Sequence, residues 1–198
     1  GSSLHLTKYI DSVVINAGDG THEHPTQAIL DITSLKERFG KIKGLKIGII
    51  GDIAHSRVAR SNIYGLINME AEVMVCGPPT LVPYDIESLG VQVTHSLDEI
   101  LDWADAINVL RIQLERMDRG LFPSVREYRN LFGITNEKLQ KHNKEIIIMH
   151  PGPMNRGVEI ESAVADGNSA IILDQVLNGV ASRMAILYLF LGGKQNES

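Results

Sequence analysis

Hydrophobic residues form short continuous runs through the middle of the chain, and turn residues close each run. Runs of this length, without polar alternation, are typical of strands that are buried on both faces of a parallel sheet. We predict such strands at 45–50, 71–76, 91–94, 106–110 and 147–149, and a further short strand at 13–16.

Between these runs the hydrophobic residues recur three or four positions apart, which is the period of an α-helix. This spacing predicts helices at 25–39, 57–69, 97–103, 124–131, 135–142 and 174–191. Pro25 suits a first helical turn, Ser96 and Thr135 suit N-caps, and Gly40 suits a helix end. Because strands alternate with helices, we expect the α/β fold class, with three αβα layers around a mostly parallel sheet.

Composition and charge narrow the classes of partner. Of 198 residues, 43% are hydrophobic, which is enough for a sizeable core, and a net charge of −5 gives no reason to expect nucleic acid or a membrane as partner. Cys76 is the single cysteine, so one chain forms no disulfide or cysteine metal cluster, and we expect it buried at a strand end. The chain has no run of transmembrane length and no visible signal peptide, so we expect a cytoplasmic protein.

Polar side chains follow two of the predicted strands. Arg57, Arg111 and Gln113 come after strand ends, at the edge where α/β sheets bind ligands. A guanidinium group pairs bidentately with a carboxylate, so two arginines in one cleft suit a dicarboxylate. Arg111 and Gln113 are two residues apart and would share one face of an extended segment. The alternatives are a surface role for Arg57 and an ion pair between Arg111 and Glu115.

The last predicted strand ends abruptly in His-Pro-Gly-Pro at 150–153. Proline fixes φ and lacks an N–H, and carbonyls at such a break have no ladder partner, so another group must satisfy them. We therefore expect these carbonyls to face a ligand. The alternative is a rigid turn that leaves the core, with Arg156 and Glu159 as an ordinary surface pair.

His24 directly precedes Pro25 at the predicted start of a helix. The helix dipole favours negative charge there, so His24 can point at a ligand and polarise a carbonyl oxygen. His22 and His24 form a His-x-His pair, but no third ligand stands near them in the sequence, so we predict no metal site. We assign structural roles to His55 and His150.

Five stretches stand out by their length and order. They are Asn-Ala-Gly-Asp-Gly-Thr-His-Glu-His-Pro-Thr-Gln at 16–27, Gly-Asp-Ile-Ala-His-Ser-Arg-Val-Ala-Arg-Ser at 51–61, Leu-Arg-Ile-Gln-Leu-Glu-Arg at 110–116, His-Pro-Gly-Pro-Met-Asn-Arg-Gly-Val-Glu at 150–159, and Gln-Val-Leu-Asn-Gly-Val-Ala-Ser-Arg-Met-Ala at 175–185. Together they resemble the catalytic chains of the aspartate carbamoyltransferase family, over nearly the whole chain. The resemblance implies the fold that aspartate and ornithine carbamoyltransferases share.

The resemblance also implies a reaction, in which the carbamoyl group of carbamoyl phosphate is joined to the amine of L-aspartate during pyrimidine biosynthesis. By position, His24 and Gln27 would contact the carbamoyl group and are the catalytic candidates. The carbonyls of Pro151 and Gly152 would complete the carbamoyl phosphate site by accepting N–H groups at the reacting centre.

The same resemblance implies that Arg57 and Arg111, with Gln113, hold the two carboxylates of aspartate. It implies no metal and no cofactor. The chain departs from the pattern at Ala54, where some members carry lysine.

Other parts of the family pattern are absent, namely a phosphate-binding Ser-Thr-Arg-Thr loop and a lysine loop that a neighbouring subunit donates. The chain opens with Gly-Ser-Ser and no methionine, so we expect that the natural N-terminus is missing. We assign residues 1–40 to a remnant of the carbamoyl phosphate domain and a crossing helix. Residues 41–172 would form the aspartate-binding domain, and 173–198 a C-terminal helix that in the family packs on the carbamoyl phosphate domain.

The two crossing helices should then expose faces that another chain, or a swapped copy, would cover. The resemblance implies a homo-oligomer, a trimer in the family, with regulatory chains as further partners.

Three other functions are compatible with parts of this sequence. Ornithine carbamoyltransferase shares the fold but has cysteine where this chain has Pro151. A non-catalytic module that binds aspartate or another dicarboxylate, or acts as a regulatory partner, would explain the missing phosphate motif. A dinucleotide-binding domain is disfavoured because the glycines at 48–51 do not form its fingerprint.

Overall fold

A parallel sheet forms the centre of the computed structural model, which describes residues 1–113 and 124–192. Its strands are β1 (Lys46–Ile50), β2 (Glu72–Cys76), β3 (Gln92–Thr94), β4 (Ala106–Val109) and β5 (Ile147–Met149). They lie in the order β3-β2-β1-β4-β5, and every neighbouring pair is parallel. The five predicted central strands are therefore confirmed.

Helices connect and cover the strands. They are α1 (Ser2–Leu6), α2 (Pro25–Phe39), α3 (Arg57–Asn68), α4 (Leu97–Trp103), α5 (Val125–Phe132), α6 (Asn136–Leu139), α7 (Ser162–Ala165) and α8 (Ile172–Leu191), with 3-10 turns at Pro79–Leu81 and Ile86–Leu89. The predicted caps are confirmed: Gly40 ends α2 with a left-handed backbone, and the side chains of Ser96 and Thr135 cap α4 and α6. In the described residues none of these helices is both long and apolar enough to cross a bilayer.

Two predicted elements differ from the structure. Residues 13–16 are not a strand, because they join no ladder in the described part of the chain and Val13 is 48% exposed. The predicted helix at 135–142 is a single α-helical turn, α6, because beyond Gln140 the N–H groups of Lys141 and His142 donate to carbonyls three residues back and no longer four.

Side chains alternate between the two faces of the sheet and define two buried clusters. Ile47 and Ile49 of β1 pack with α2 and α3, whereas Ile50 packs with α4, α5 and α7. The same alternation runs through β2 and β5, as expected for strands with a period of two. The predicted three-layer αβα architecture is confirmed, and Cys76 is fully buried at the end of β2.

The last helix has the opposite pattern from the rest of the fold. Its buried face is polar and carries Gln175, Asn178 and Ser182. Ile172 at its start is buried, but most of its other hydrophobic residues point outward, including the predicted stripe of Val176 (64% exposed), Val180 (58%), Met184 (64%), Leu187 (48%) and Leu191 (61%). The expectation that this helix exposes an apolar face is confirmed.

Candidate active site

The topology creates one natural position for a ligand. From β1 the chain runs outward through β2 and β3, and then returns to place β4 on the other side of β1. The segments that leave β1 and β4 therefore diverge at the carboxyl edge of the sheet. Ligands of open α/β sheets bind in the crevice at such a switch point.

A cleft of about 290 Å³ occupies this position, and we call it the sheet-edge cleft. Its lining comes from the ends of three strands and from one N-terminal turn, and consists of Gly20, Asp52, His55, Ser56, Arg57, Val58, Leu110, Arg111, Gln113, Pro151, Gly152 and Pro153. The structure thus brings together the three aspartate-binding candidates and the two candidate carbonyl residues.

Arg57 is held at the mouth of the cleft by local structure. It is the first residue of α3, directly after Ser56, whose side chain caps the helix by accepting from the Ala59 N–H. Gly18, with φ +119°, packs against its guanidinium group, and a Cβ at that position would lie 2.8 Å from the Arg57 Cζ. A side chain at Gly18 would therefore displace the arginine.

Arg111 and Gln113 flank Ile112, which is buried at 2% exposure. The two polar residues therefore share the exposed face of this extended segment, as predicted. The Ile112 carbonyl accepts a hydrogen bond of 2.7 Å from the Asn155 side chain, which connects this segment to the loop after β5.

Neither Arg57 nor Arg111 forms an ion pair with a carboxylate in the described part of the chain. The alternative partner of Arg111, Glu115, lies outside the described residues. Two guanidinium groups that have no anionic partner among residues 1–113 and 124–192 make this cleft attractive to a ligand with two carboxylates.

The loop after β5 is fixed by a buried histidine. The Gly152 N–H donates to His150 Nδ1 at 2.9 Å, and His150 Nε2 lies 3.3 Å from Glu159 Oε1. Both the His150 and the Glu159 side chains are fully buried. The structural role assigned to His150 is confirmed, whereas the surface pair of Arg156 and Glu159 is wrong, because Arg156 instead pairs with Asp166 at 2.7 Å.

A second cavity of about 340 Å³ lies between α2, α8 and this loop, and we call it the helix-side cavity. Its lining is Gln27, Leu30, His150, Pro151, Gly152, Ile172, Gln175, Val176, Gly179, Val180 and Arg183. Pro151 and Gly152 line both cavities, so the two spaces meet at this backbone. No group in the described residues donates a hydrogen bond to either carbonyl oxygen.

His24 lies at the N-terminus of α2, and its backbone N–H donates to Ser61 Oγ at 2.8 Å. Partial burial, the largest cause, and the charges of Arg57 and Arg183 together lower its pKa to about 4. The imidazole is therefore neutral at neutral pH. Its Nδ1 lies 3.4 Å from the Thr26 hydroxyl. In the tautomer in which Nδ1 accepts from that hydroxyl, Nε2 carries the proton and can donate.

His24 is within electrostatic reach of Arg57 at one cavity and Arg183 at the other, but it lines neither. Gln27, one turn further along α2, lines the helix-side cavity. The structure therefore does not place all the predicted site residues in a single space. It separates a pair on α2 from the arginine set, with the 150–153 loop between them.

Several residues around the site were missed in the sequence or given another role. His55 lines the sheet-edge cleft beside Asp52, with 2.8 Å between Nδ1 and Oδ1. Asp31 is fully buried, and burial raises its pKa to about 6. The sequence signal that could have revealed the buried Asp31 was the presence of polar residues at positions expected to be apolar, such as Asn108 within β4 and Gln175 on α8. In the described residues no group of three His, Cys, Asp or Glu side chains is arranged to hold a metal ion.

Comparison with known proteins identifies the class. Residues 43–190 match the family described as aspartate/ornithine carbamoyltransferase, Asp/Orn binding domain. Because the match covers most of the chain, the chain belongs to this family.

Individual relatives narrow the similarity further. The chain is 60% identical, over 98% of its length, to the aspartate carbamoyltransferase catalytic subunit of Desulforamulus reducens, and it covers 62% of that protein. It therefore spans less than two thirds of the length of this relative.

Solved structures agree with this assignment. Aspartate transcarbamoylase from Trypanosoma cruzi, in complex with N-(phosphonacetyl)-L-aspartic acid, has a TM-score of 0.76 at 32% identity over 87% of this chain and 57% of that one. Ornithine carbamoyltransferase from Pyrococcus furiosus has a TM-score of 0.82 at 25% identity over 98% of this chain and 64% of that one. The fold is thus common to both activities, and the choice of substrate rests on the site.

Proposed function

We propose that the chain supplies the aspartate-binding part of an aspartate carbamoyltransferase, which joins carbamoyl phosphate and L-aspartate to give N-carbamoyl-L-aspartate and phosphate. The observation that carries this proposal is the sheet-edge cleft, where Arg57 and Arg111 face one space without anionic partners among the described residues. The 60% identity to a named catalytic subunit supports the same activity.

In this proposal each carboxylate of aspartate pairs with a guanidinium group, and Gln113 donates to one of them. Aspartate bound in this way would direct its amine toward Pro151 and Gly152, at the boundary between the two cavities. Ornithine, which has a single carboxylate and a side-chain cation, would leave one arginine unpaired. The cleft therefore favours aspartate over ornithine.

The carbamoyl group would lie on the other side of that boundary. The neutral His24 would donate from Nε2 to the carbamoyl oxygen, while Gln27 and the free carbonyls of Pro151 and Gly152 would accept N–H groups. As the amine nitrogen bonds to the carbonyl carbon, the bond from that carbon to the phosphate oxygen breaks, and the departing phosphate takes up the proton that the amine loses. Orientation and stabilisation of the developing oxyanion would provide the catalysis.

The chain would carry out this reaction together with further protein. We infer that residues 1–40 are a remnant of the carbamoyl phosphate domain with a crossing helix, that 41–172 form the aspartate-binding domain, and that 173–198 form a C-terminal helix that packs on the carbamoyl phosphate domain. The exposed apolar face of α8 supports this division, because a face of that kind is normally covered. A homo-oligomer, with a trimer as the expected form and regulatory chains as further partners, completes the proposal.

Titration calorimetry with N-(phosphonacetyl)-L-aspartic acid, called PALA below, and with L-aspartate tests this function. We expect both ligands to bind, and Arg111→Ala to weaken each by about tenfold or more, since a hydrogen-bonded charge pair is lost. Arg60→Ala is the matched control, because Arg60 is an exposed arginine of α3 outside the cleft. Equal losses in the two variants, or tighter binding of ornithine than of aspartate, would contradict the proposal.

A further inference from the structure

Asp31 is a buried carboxylate that is surrounded by amides. Its Oδ1 accepts from Gln27 Nε2 at 3.0 Å and from Gln175 Nε2 at 2.7 Å. Its Oδ2 accepts from Asn62 Nδ2 at 2.7 Å and from Asn108 Nδ2 at 3.3 Å. An unpaired charge is costly to bury, so a carboxylate kept at 0% exposure with no cationic partner in the described part of the chain indicates a role beyond packing.

The first consequence concerns the orientation of Gln27. A primary amide has a donor end and an acceptor end, and the bond to Asp31 fixes the donor end inside the protein. Gln27 Oε1 is left without a donor among the described residues, on a side chain that lines the helix-side cavity. The cavity is thereby offered a hydrogen-bond acceptor, which suits an N–H group of a ligand and disfavours a carbonyl oxygen.

The second consequence concerns the loop after β5. Because Asp31 also takes the donor end of Gln175, the Oε1 of Gln175 is free to accept from the His150 N–H, at 2.9 Å. His150 directly precedes Pro151 and Gly152, whose carbonyls lie at the boundary between the two cavities. Asp31 Oδ1 therefore orients two amides, of which Gln27 lines the helix-side cavity and Gln175 holds the loop that borders the same cavity.

We propose that Asp31 is a positioning residue, which orients the Gln27 amide and, through Gln175, the Pro151–Gly152 carbonyls so that together they select a ligand with an NH₂ group. The inference rests on the proposed function, in which that NH₂ belongs to the carbamoyl group. Asp31 itself touches no reacting atom. It acts only through the groups that its oxygens hold.

The proposal predicts a dependence on pH. The groups that face Asp31 are Gln27 of its own helix, Asn62 of α3, Asn108 of β4 and Gln175 of α8, and no charged side chain is among the causes that shift its pKa. Burial raises that pKa to about 6. Below this pH the protonated carboxyl would be a donor at one oxygen, and it could no longer accept from all four amides.

Three variants of the chain separate positioning from packing. Asp31→Asn removes the charge, and Gln175→Met removes the link to the loop but leaves Asp31 in place. Asn178→Ala is the control, because Asn178 joins α8 to α2 through Ser34 and Glu37 without touching Asp31. Two readouts are needed: PALA affinity by calorimetry between pH 5 and 8, and hydrogen exchange of the His150 amide.

We expect Asp31→Asn to weaken PALA binding at pH 7.5 by about tenfold, and Gln175→Met to have a similar effect. The ratio of wild-type to Asp31→Asn affinity should fall toward one as the pH drops below 6, because Asp31 then loses its charge in the wild type as well. Titration of the ligand affects both proteins equally and cancels in this ratio. Exchange at His150 should be faster in both variants. Asn178→Ala should keep the wild-type affinity within about twofold.

An unchanged affinity in folded Asp31→Asn, or an equal loss in Asn178→Ala, would overturn the proposal. If Asp31→Asn does not fold, Gln175→Met decides in the same way. If PALA binds to none of the proteins, the proposed function fails, and His150 exchange still decides whether Asp31 positions the loop. Exchange at His150 that is the same in Gln175→Met and Asn178→Ala would then refute that part.

Discussion

The sheet and the seam between α2 and α8 bury their side chains by opposite rules. Around the sheet, apolar residues such as Ile49 and Ile107 are completely buried. Along the seam, the buried groups include the polar Asp31, Gln175 and Asn178, while the apolar residues of α8 after Ile172 mostly face outward. The comparison teaches that the two faces of one helix can have different roles. The buried polar face of α8 can position groups of the site, and its exposed apolar face can bind another protein surface.

The cost of disruption should therefore differ between the two regions. In the sheet, stability depends on close packing, where any cavity removes both transfer free energy and contacts. In the seam, it depends on matched donors and acceptors and on the charge state of Asp31. On the outer face of α8, the free energy of unfolding should depend little on side-chain identity.

The largest effect is expected in the sheet. Ile49→Ala should lower the free energy of unfolding by about 2 to 5 kcal/mol. Ile49 is 0% exposed, so removing its side-chain atoms leaves a cavity into which the surrounding residues relax only partially. Urea denaturation, with the slope compared between variant and wild type, measures this loss. A loss below about 1 kcal/mol would mean that the sheet is less closely packed than its burial indicates.

The seam should respond to pH. The pKa of Asp31 is raised to about 6 from an ordinary value of 3.8, so the folded chain holds its proton more tightly than the unfolded chain. The stability that this provides is complete below about pH 4 and is lost as the pH rises to about 6, a change on the order of 3 kcal/mol. In Asp31→Asn that contribution is absent.

Denaturation of both proteins at several pH values measures the difference. The stability of the wild type relative to Asp31→Asn should fall between pH 4 and pH 6 and stay constant above pH 7. His24, whose lowered pKa of about 4 makes stability rise over pH 4 to 6.5, is common to both proteins and cancels. A relative stability that rises with pH would show that Asp31 is stabilised in its charged form.

The smallest effect on unfolding is expected at the outer face of α8. Leu177→Gln should change the free energy of unfolding by less than about 0.5 kcal/mol, because Leu177 is 69% exposed. It should, however, reduce self-association, which sedimentation at several concentrations would detect. A large loss of stability would indicate that this face is already buried by another copy.

Much of the fold could be predicted because local patterns and global topology agree. The strand at 106–110 follows from a continuous apolar run, and the helix at 97–103 from its spacing and its N-cap, Ser96. The parallel arrangement of the strands then brings Arg57 and Arg111 to one edge of the sheet. The strand at 13–16 was wrong because β-propensity alone cannot supply a neighbour for its backbone.

The hydrogen-bond network around Asp31 could not be predicted in the same way. A carboxylate in the middle of a helix looks like a surface residue, and its partners Asn108 and Gln175 lie 77 and 144 positions away along the chain. The separation of Gln27 from the arginine set was hidden for the same reason, because it depends on how α2 packs against α8.

The shared boundary of Pro151 and Gly152 has a consequence for how the protein tolerates change. Its proposed contacts are main-chain carbonyls, and a codon change at Gly152 adds a side chain without removing that oxygen. Gly152 has φ +64°, so a substitution there would act by bending the backbone rather than by deleting a contact. Alanine scanning would thus report this distortion and not the loss of the carbonyl contact, whereas replacing single peptide bonds by esters weakens the carbonyl as an acceptor and probes the contact directly.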